Sequence, residues 1–341
     1  MRLYCGIDLH STNCYVVILD EDLEVVAGRR LDNNREDILK FLAPHQEKIE
    51  GVAVESTFNW YWLVDGLMKA GYRVHLVNTS KVRQYDGLKY SDDRHDARWL
   101  ARLLQLGILP EGYIYPKEER PLRDLLRRRS FLVSKKTSFL ISMGGAFHCR
   151  TGVRASANVM KKWTEEDLKQ WLPDRETELG MSCLLSPIRS MAEQIETIEK
   201  AVLARARLRP EYRYLTTVWG IGKILAMTIM YEVGDIGRFE SAGKYASYCR
   251  LVDSKHVTNQ KRKGKGNVKN GNPYLSWAYS EAAHFANRRR DPAKKFVRRK
   301  MKQRNAMVAH RALAHKLARA SYHVMRDHVE FDPERVFGAS R

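Results

Sequence analysis

The first hundred residues are written in short apolar runs broken by polar turns. Runs over 3–8, 13–19 and 23–30 predict three consecutive strands. The second, Asn13-Cys-Tyr-Val-Val-Ile-Leu19, is rich in β-branched residues and is followed by Asp20-Glu-Asp22, a turn signal. Short links between sequential strands predict an antiparallel meander. Asn34 is placed to cap a helix over about 35–43, where Ile38, Leu39 and Leu42 share a face. A short buried strand follows at 51–55. Next comes a helix at 59–70, with Trp60, Leu63, Val64 and Leu67 at helical spacing, then a strand at 72–77. A further helix opens near Asp93. The order βββαβαβ and then α predicts a mixed sheet covered by helices.

Beyond this the pattern changes to a helical period. A basic helical stretch runs from about 118 to 145, Arg120 through Phe139. Residues 150–180, with Gly152, Pro173 and Gly180, read as irregular. From Leu184 to Leu208 apolar residues fall at Ile188, Met191, Ile195, Ile198 and Val202, steps of three and four that suit a coiled coil. That stripe fits either pairing with another subunit or an ordinary amphipathic helix. A second domain begins near 210. Leu215-Thr-Thr-Val-Trp-Gly-Ile-Gly-Lys-Ile-Leu-Ala226 has the form of a helix-hairpin-helix, with Gly220 and Gly222 in the turn. Such a turn offers backbone N–H groups to a phosphate; a glycine-rich helix connection is the plainer alternative. Arg250 to Asn272 is Gly-rich and basic, and helices are predicted over 273–288 and 292–327. The fold class is therefore α/β plus mainly α, in three parts: 1–112, a helical linker or dimerisation segment at 113–209, and 210–341.

Charge sharpens this division. The chain has 341 residues, 44% of them hydrophobic, and a formal net charge of +20. Residues 1–115 carry 14 Lys and Arg against 17 Asp and Glu, whereas residues 250–304 carry 17 against 3. A nearly neutral front and a polycationic back point to a nucleic-acid partner. The candidate phosphate contacts are Gly220, Gly222, Lys223, Lys255, Lys261, Arg262, Lys263, Lys265, Lys269, Arg288, Arg289 and Arg290. No apolar run reaches about 18 residues and no signal peptide is read, so no membrane association is expected. The five cysteines (5, 14, 149, 183 and 249) form no C-x-x-C pair. Neither a zinc site nor a disulfide framework is favoured, and a reducing cytoplasm fits best.

Four acids carry the candidate chemistry. Asp8 and Glu55 each end an apolar run, where a carboxylate is costly unless it is ligated or hydrogen-bonded. Asp93 and Asp96 lie three apart at the start of a helix and share a face. Phosphodiester chemistry needs a strong nucleophile and relief of charge on the phosphate, which divalent metal held by carboxylates supplies. Together these acids form a cage for Mg²⁺ on the strand order of a ribonuclease-H-like domain. Each also has a structural reading as a cap or turn residue. Asp92 competes locally with Asp93.

Residues Gly6-Ile-Asp-Leu-His10, Val54-Glu-Ser56 and Asp93-Arg-His-Asp-Ala97 resemble the RuvC-like domain of the DEDD transposases of bacterial insertion sequences that a bridge RNA guides. The pilin-gene invertase is a relative of that family. The C-terminal half resembles its transposase domain through Gly220-Ile-Gly222, the pattern E-x-G-D-x-x-R-F from Glu232 to Phe239, and Lys269-Asn-Gly-Asn272. The resemblance implies Mg²⁺-dependent DNA strand exchange, donor and target DNA, a guide RNA, and a homo-oligomer, either dimer or tetramer. It also implies a serine nucleophile about thirteen residues before the glycine of K-x-G-N. That position holds Thr258, followed by Asn259; Ser254 is the alternative hydroxyl. The reading is an RNA-guided DNA recombinase. Its main rival is a junction-resolving nuclease that uses the same acids with water as nucleophile. An actin-like ATPase would need a second glycine-rich phosphate loop, and an RNA-binding scaffold would follow if threonine disabled the chemistry.

Overall fold

In the computed structural model, which describes residues 1–82, 92–172, 174–253, 256–258, 261–264 and 270–338, the N-terminal runs form one five-stranded sheet. Its strands are β1 (Leu3–Leu9), β2 (Asn13–Leu19), β3 (Val25–Asp32), β4 (Ile49–Glu55) and β5 (Val74–Val77). The order is β3-β2-β1-β4-β5. Strands β1, β2 and β3 pair antiparallel, as the meander predicts; β4 lies parallel to β1, and β5 parallel to β4. The third strand starts at Val25 rather than 23. Asp20 Oδ1 accepts from the N–H groups of Asp22 and Glu24, and Leu23 adopts φ 67°, so the turn extends further than composition suggested.

Helices cover both faces of this sheet. Asn34 caps α1 (Arg35–Leu42), its side chain accepting from the N–H groups of Glu36 and Asp37. Residues Ile38 and Leu42 of α1, with Leu63, Val64 and Leu67 of α2 (Tyr61–Lys69), share a core with Cys5, Ile7, Leu9, Val52 and Val54. Strand side chains alternate faces, so Gly6, Asp8 and Ala53 look the other way. That face receives α3 (Asp93–Gln105): Ala97 and Ala101 cluster with Val17 and Leu19, and Leu100 with Ala53 and Val77. A Cβ at Gly6 would overlap the carbonyl oxygen of Ala97 and crowd the N–H of Ala101. The missing side chain lets α3 lie directly on β1.

The chain divides into two compact units, Met1–Lys117 and Glu118–Arg341. The second unit is helical. It holds α4 (Arg120–Thr151), α5 (Ala157–Met160), α6 (Glu165–Trp171), α7 (Arg175–Ala206), α8 (Pro210–Leu215), α9 (Lys223–Val233) and α10 (Ala242–Tyr248). A ribbon of β6 (His256–Thr258) and β7 (Lys261–Gly264) follows, then α11 (Pro273–Arg289), α12 (Asp291–Met301), α13 (Ala306–Asp327) and α14 (Pro333–Phe337).

Four features here differ from the sequence expectation. Residues 150–180 contain α5 and α6, too short to show a period; α6 is held by a Thr164–Asp167 capping box. Helix α7 begins at Arg175, not near 184, because Asp174 caps it by accepting from Thr177 N–H. The single helix expected over 292–327 is two, since Asn305 accepts from Val308 N–H and starts α13 afresh. The antiparallel ribbon within 250–272 was not expected. The apolar stripe of α7 is largely covered by its own chain: Met181, Leu185 and Ile188 share a core with Leu140, Met143 and Phe147 of α4. Val202 and Ala206 join the main core with Tyr245, Tyr279 and Leu317.

Gly6→Ala tests the closest approach in the first unit. Overpacking of this kind typically costs about 1–3 kcal/mol. The substitution should lower stability by at least that range in chemical denaturation; an unchanged midpoint would mean that α3 does not rest on β1 at this point.

Candidate active site

Parallel register sets the first pair of acids. Ile7 of β1 lies opposite Val54 of β4, so the next residues, Asp8 and Glu55, stand side by side on the face that α3 covers. Their carboxyl groups are hydrogen-bonded. Asp8 is only 2% exposed. The first turn of α3 brings Asp93 and Asp96 to the same place, where the helix N-terminus favours negative charge. Asp92 is outside this cluster in role: it is the N-cap, its Oδ1 accepting from His95 N–H at 2.8 Å.

His10, which the sequence reading did not single out, completes the group. Its Nε2 lies 3.1 Å from Asp8 Oδ2 and 3.1 Å from Asp93 Oδ1. The backbone around it is pinned. His10 N–H donates to Asn13 O at 2.9 Å, and its carbonyl accepts from the Nδ2 atoms of Asn33 and Asn59, each at 3.0 Å. Alternation was the available signal, since His10 follows Asp8 by two residues. Arg30 approaches Asp93 at 3.9 Å and lines a groove of about 800 Å³ with Asn13, Arg29, Asp32, Lys40 and Phe41.

Burial dominates the electrostatics. It pushes the Asp8 carboxyl above its ordinary range, assisted by the charges of Asp96 and Asp93 and opposed by the Glu55 hydrogen bond and His10. It pushes Glu55 up to about 8, with the hydrogen bond to Asp8 and the charges of Asp8 and Asp96 adding to the effect. The pair thus holds a proton near neutrality.

The donor set fits a divalent cation. One ligand atom from each of Asp8, His10 and Asp93 lies within 4.8 Å of the others. Asp8 Oδ2 and His10 Nε2 are both shut off from water, yet neither makes an aligned hydrogen bond, although they are neighbours. Buried polar atoms without partners are costly, and a cation satisfies both at once.

Comparison with known families finds a match in each half of the chain. Residues 5–146 match the model of the DEDD transposases of the IS110 type, described as "Transposase". Residues 212–298 match the model described as "Transposase IS116/IS110/IS902 family". The chain belongs to the IS110 family of DEDD transposases. Membership implies use of a divalent metal. Among curated relatives, the "Putative transposase y4qE" of Sinorhizobium fredii is 26% identical over 232 residues, 65% of this chain and 55% of the relative. The "Transposase for insertion sequence element IS1111A" of Coxiella burnetii is 22% identical over 223 residues, 64% of this chain and 59% of the relative. The aligned region spans little more than half the length of either relative.

The second unit of this IS110-family chain gives its motif residues varied roles. Gly220, at φ +85°, packs against α11: a Cβ there would overlap the carbonyl oxygen of Ala282. Gly222 heads α9 beside Lys223, with open space where a side chain would be and no side-chain cap on the helix. Glu232 is buried and accepts from Arg127 Nε at 2.7 Å, Arg127 Nη2 at 2.8 Å and Asn272 Nδ2 at 2.7 Å. Arg288, Arg289 and Arg290 are exposed at the end of α11, with Arg290 stacked over Trp219. Thr258 ends β6, paired with Lys261 of β7, and Arg262 and Lys263 continue that strand. Ser254, Lys255, Asn259, Lys265 and Lys269 lie outside the described residues.

Glu55 yields a pH prediction. Its ordinary value is 4.5 and its folded value about 8. Between these, the unfolded chain has released the proton and the folded chain keeps it, so folding stability must fall as pH rises through that window. In EDTA, the denaturation midpoint of the wild type should fall relative to Glu55→Gln from about pH 5 to about pH 8. Parallel curves for the two proteins would show that Glu55 is not held protonated.

Proposed function

We propose that this chain is a transposase that cleaves and rejoins DNA at a divalent-metal centre in its N-terminal unit, which is read as a RuvC-like domain. Asp8, Glu55, Asp93 and Asp96 hold Mg²⁺, and Thr258 supplies the attacking hydroxyl. The observation that carries this reading is buried Asp8 beside half-buried Glu55, with Asp8 and Asp93 each 3.1 Å from the same nitrogen of His10. A structural role needs no such crowding of acids, whereas phosphoryl transfer does. When bound, the cation neutralises charge on the scissile phosphate and favours the ionised nucleophile.

The remaining steps fall to the chain's own residues. Arg29, Arg30 and Lys40 in the groove beside Asp93 attract the phosphate backbone toward the acids. In the second unit, Gly222 and Lys223 at the head of α9 act as the phosphate-facing turn of a helix-hairpin-helix. Gly220 contributes by letting α11 pack close. Lys255, Lys261, Arg262, Lys263, Lys265, Lys269 and Arg288–Arg290 supply further phosphate contacts. Thr258 loses its hydroxyl proton, its oxygen bonds to phosphorus, and the displaced strand leaves with a free hydroxyl end. The phosphoester conserves the bond for rejoining. Donor and target DNA, a guide RNA and a homo-oligomer follow from the family resemblance, with specificity residing in RNA pairing.

The reading is tested on a nicked suicide DNA substrate with Mg²⁺. Wild type should form a covalent adduct that mass spectrometry maps to Thr258. Thr258→Ser should keep it, and both Thr258→Ala and Asp8→Ala should lack it. An adduct on Ser254 would move the nucleophile. Cleavage without any adduct would favour a water-using nuclease. Sequencing of copurified RNA should give one structured species; only degraded bulk RNA would remove the guide from the account.

A further inference from the structure

We propose that His10 is itself a ligand of the metal centre, binding through Nε2, and that it makes the site prefer Mn²⁺ to Mg²⁺. The inference rests on the metal-centre reading above and adds a nitrogen donor to a set of carboxylates. Three observations carry it.

The first is distance. Nε2 stands 3.1 Å from one oxygen of Asp8 and 3.1 Å from one oxygen of Asp93. Two neighbouring ligands on an octahedral ion with bonds of about 2.1 Å are separated by roughly 3 Å. Nε2 therefore already stands at ligand spacing from each oxygen, and all three donor groups lie within 4.8 Å of one another. The second is the state of the atoms. Asp8 is 2% exposed, and its Oδ2 and His10 Nε2 have no hydrogen-bond partner and no water access. A histidine recruited only to pair with Asp8 would align for a hydrogen bond. The third is support. His10 is fixed by its N–H to Asn13 and by its carbonyl to the side chains of Asn33 and Asn59, the latter also accepting from Thr57 Oγ1 at 2.8 Å. Three loops thus hold its backbone in place beside the acids. Such outer support of a ligand is the usual arrangement at metal sites.

The chemical consequence is selectivity. Mg²⁺ favours oxygen donors and retains water, whereas imidazole suits first-row transition metals. Replacing one oxygen by Nε2 costs Mg²⁺ more than Mn²⁺.

The experiment loads full-length protein with Mn²⁺ and records electron spin-echo envelope modulation. Wild type should show coupling to a directly bound ¹⁴N, converted to ¹⁵N coupling on selective ¹⁵N-histidine labelling. His10→Gln should lose that coupling, and its Mn²⁺ affinity should fall roughly tenfold or more while Mg²⁺ affinity changes less. His10→Asn, a second variant of similar size, should lose the coupling in the same way. Mn²⁺ bound in an Asp8-dependent manner without nitrogen coupling would overturn His10 as a ligand and leave the acidic centre standing. Failure of Mn²⁺ to bind, or binding unaffected by Asp8→Asn, would overturn both. Nitrogen coupling that survives in His10→Gln would assign it to another histidine and refute the proposal.

Discussion

A carboxylate in the central strand of a sheet is the constraint on which the first unit turns. Asp8 lies on β1, flanked by β2 and β4 and roofed by α3, and is almost wholly buried. Removing that charge from water costs several kcal/mol unless something compensates it. No lysine or arginine is paired with it among the described ion pairs; its neighbours are Glu55, Asp93, Asp96 and His10. The fold thus keeps an electrostatic deficit that a divalent cation removes. The close seat of α3 on Gly6 is part of the same device, because it brings the helix's first turn, and two more acids, to the end of β1.

Glu232 in the second unit shows what a fully compensated buried acid looks like. Two nitrogens of Arg127 and the amide of Asn272 saturate its carboxylate. Arg127 also lies over the Tyr274 ring, and Asn272 caps α11. This network ties α4, α9 and α11 together. Both acids are buried, but one is satisfied by protein and the other is not. The partners, rather than burial itself, separate an architectural acid from a chemical one.

Much of this was legible in the sequence. The short apolar runs identified all five strands, and the short links gave the meander. The adjacency of β1 and β4, and with it Asp8 beside Glu55, came from reading the strand order as a ribonuclease-H-like pattern. The asparagine before α1 gave its cap. What escaped notice was set by local hydrogen bonds that periodicity does not report: the capping box of α6, the early start of α7 at Asp174, and the break before Asn305. Asp92 and Asp93 are indistinguishable by spacing; the N-cap bond of Asp92 to His95 and the contact of Asp93 with His10 separate them. His10 escaped because a histidine after a strand resembles any loop residue; its importance lies in distances to two acids far apart in the chain. The glycine-rich pattern around Gly220 suggests phosphate binding, whereas its conformation and its closeness to α11 give it a packing role.

The central question for this molecule is whether these acids bind metal as one centre. The most direct measurement is anomalous X-ray scattering from crystals of the protein grown with Mn²⁺. An anomalous peak is expected within coordination distance of Asp8 and Asp93. Well-ordered side chains at Asp8, Glu55, Asp93 and Asp96 with no peak among them at saturating Mn²⁺ would contradict it.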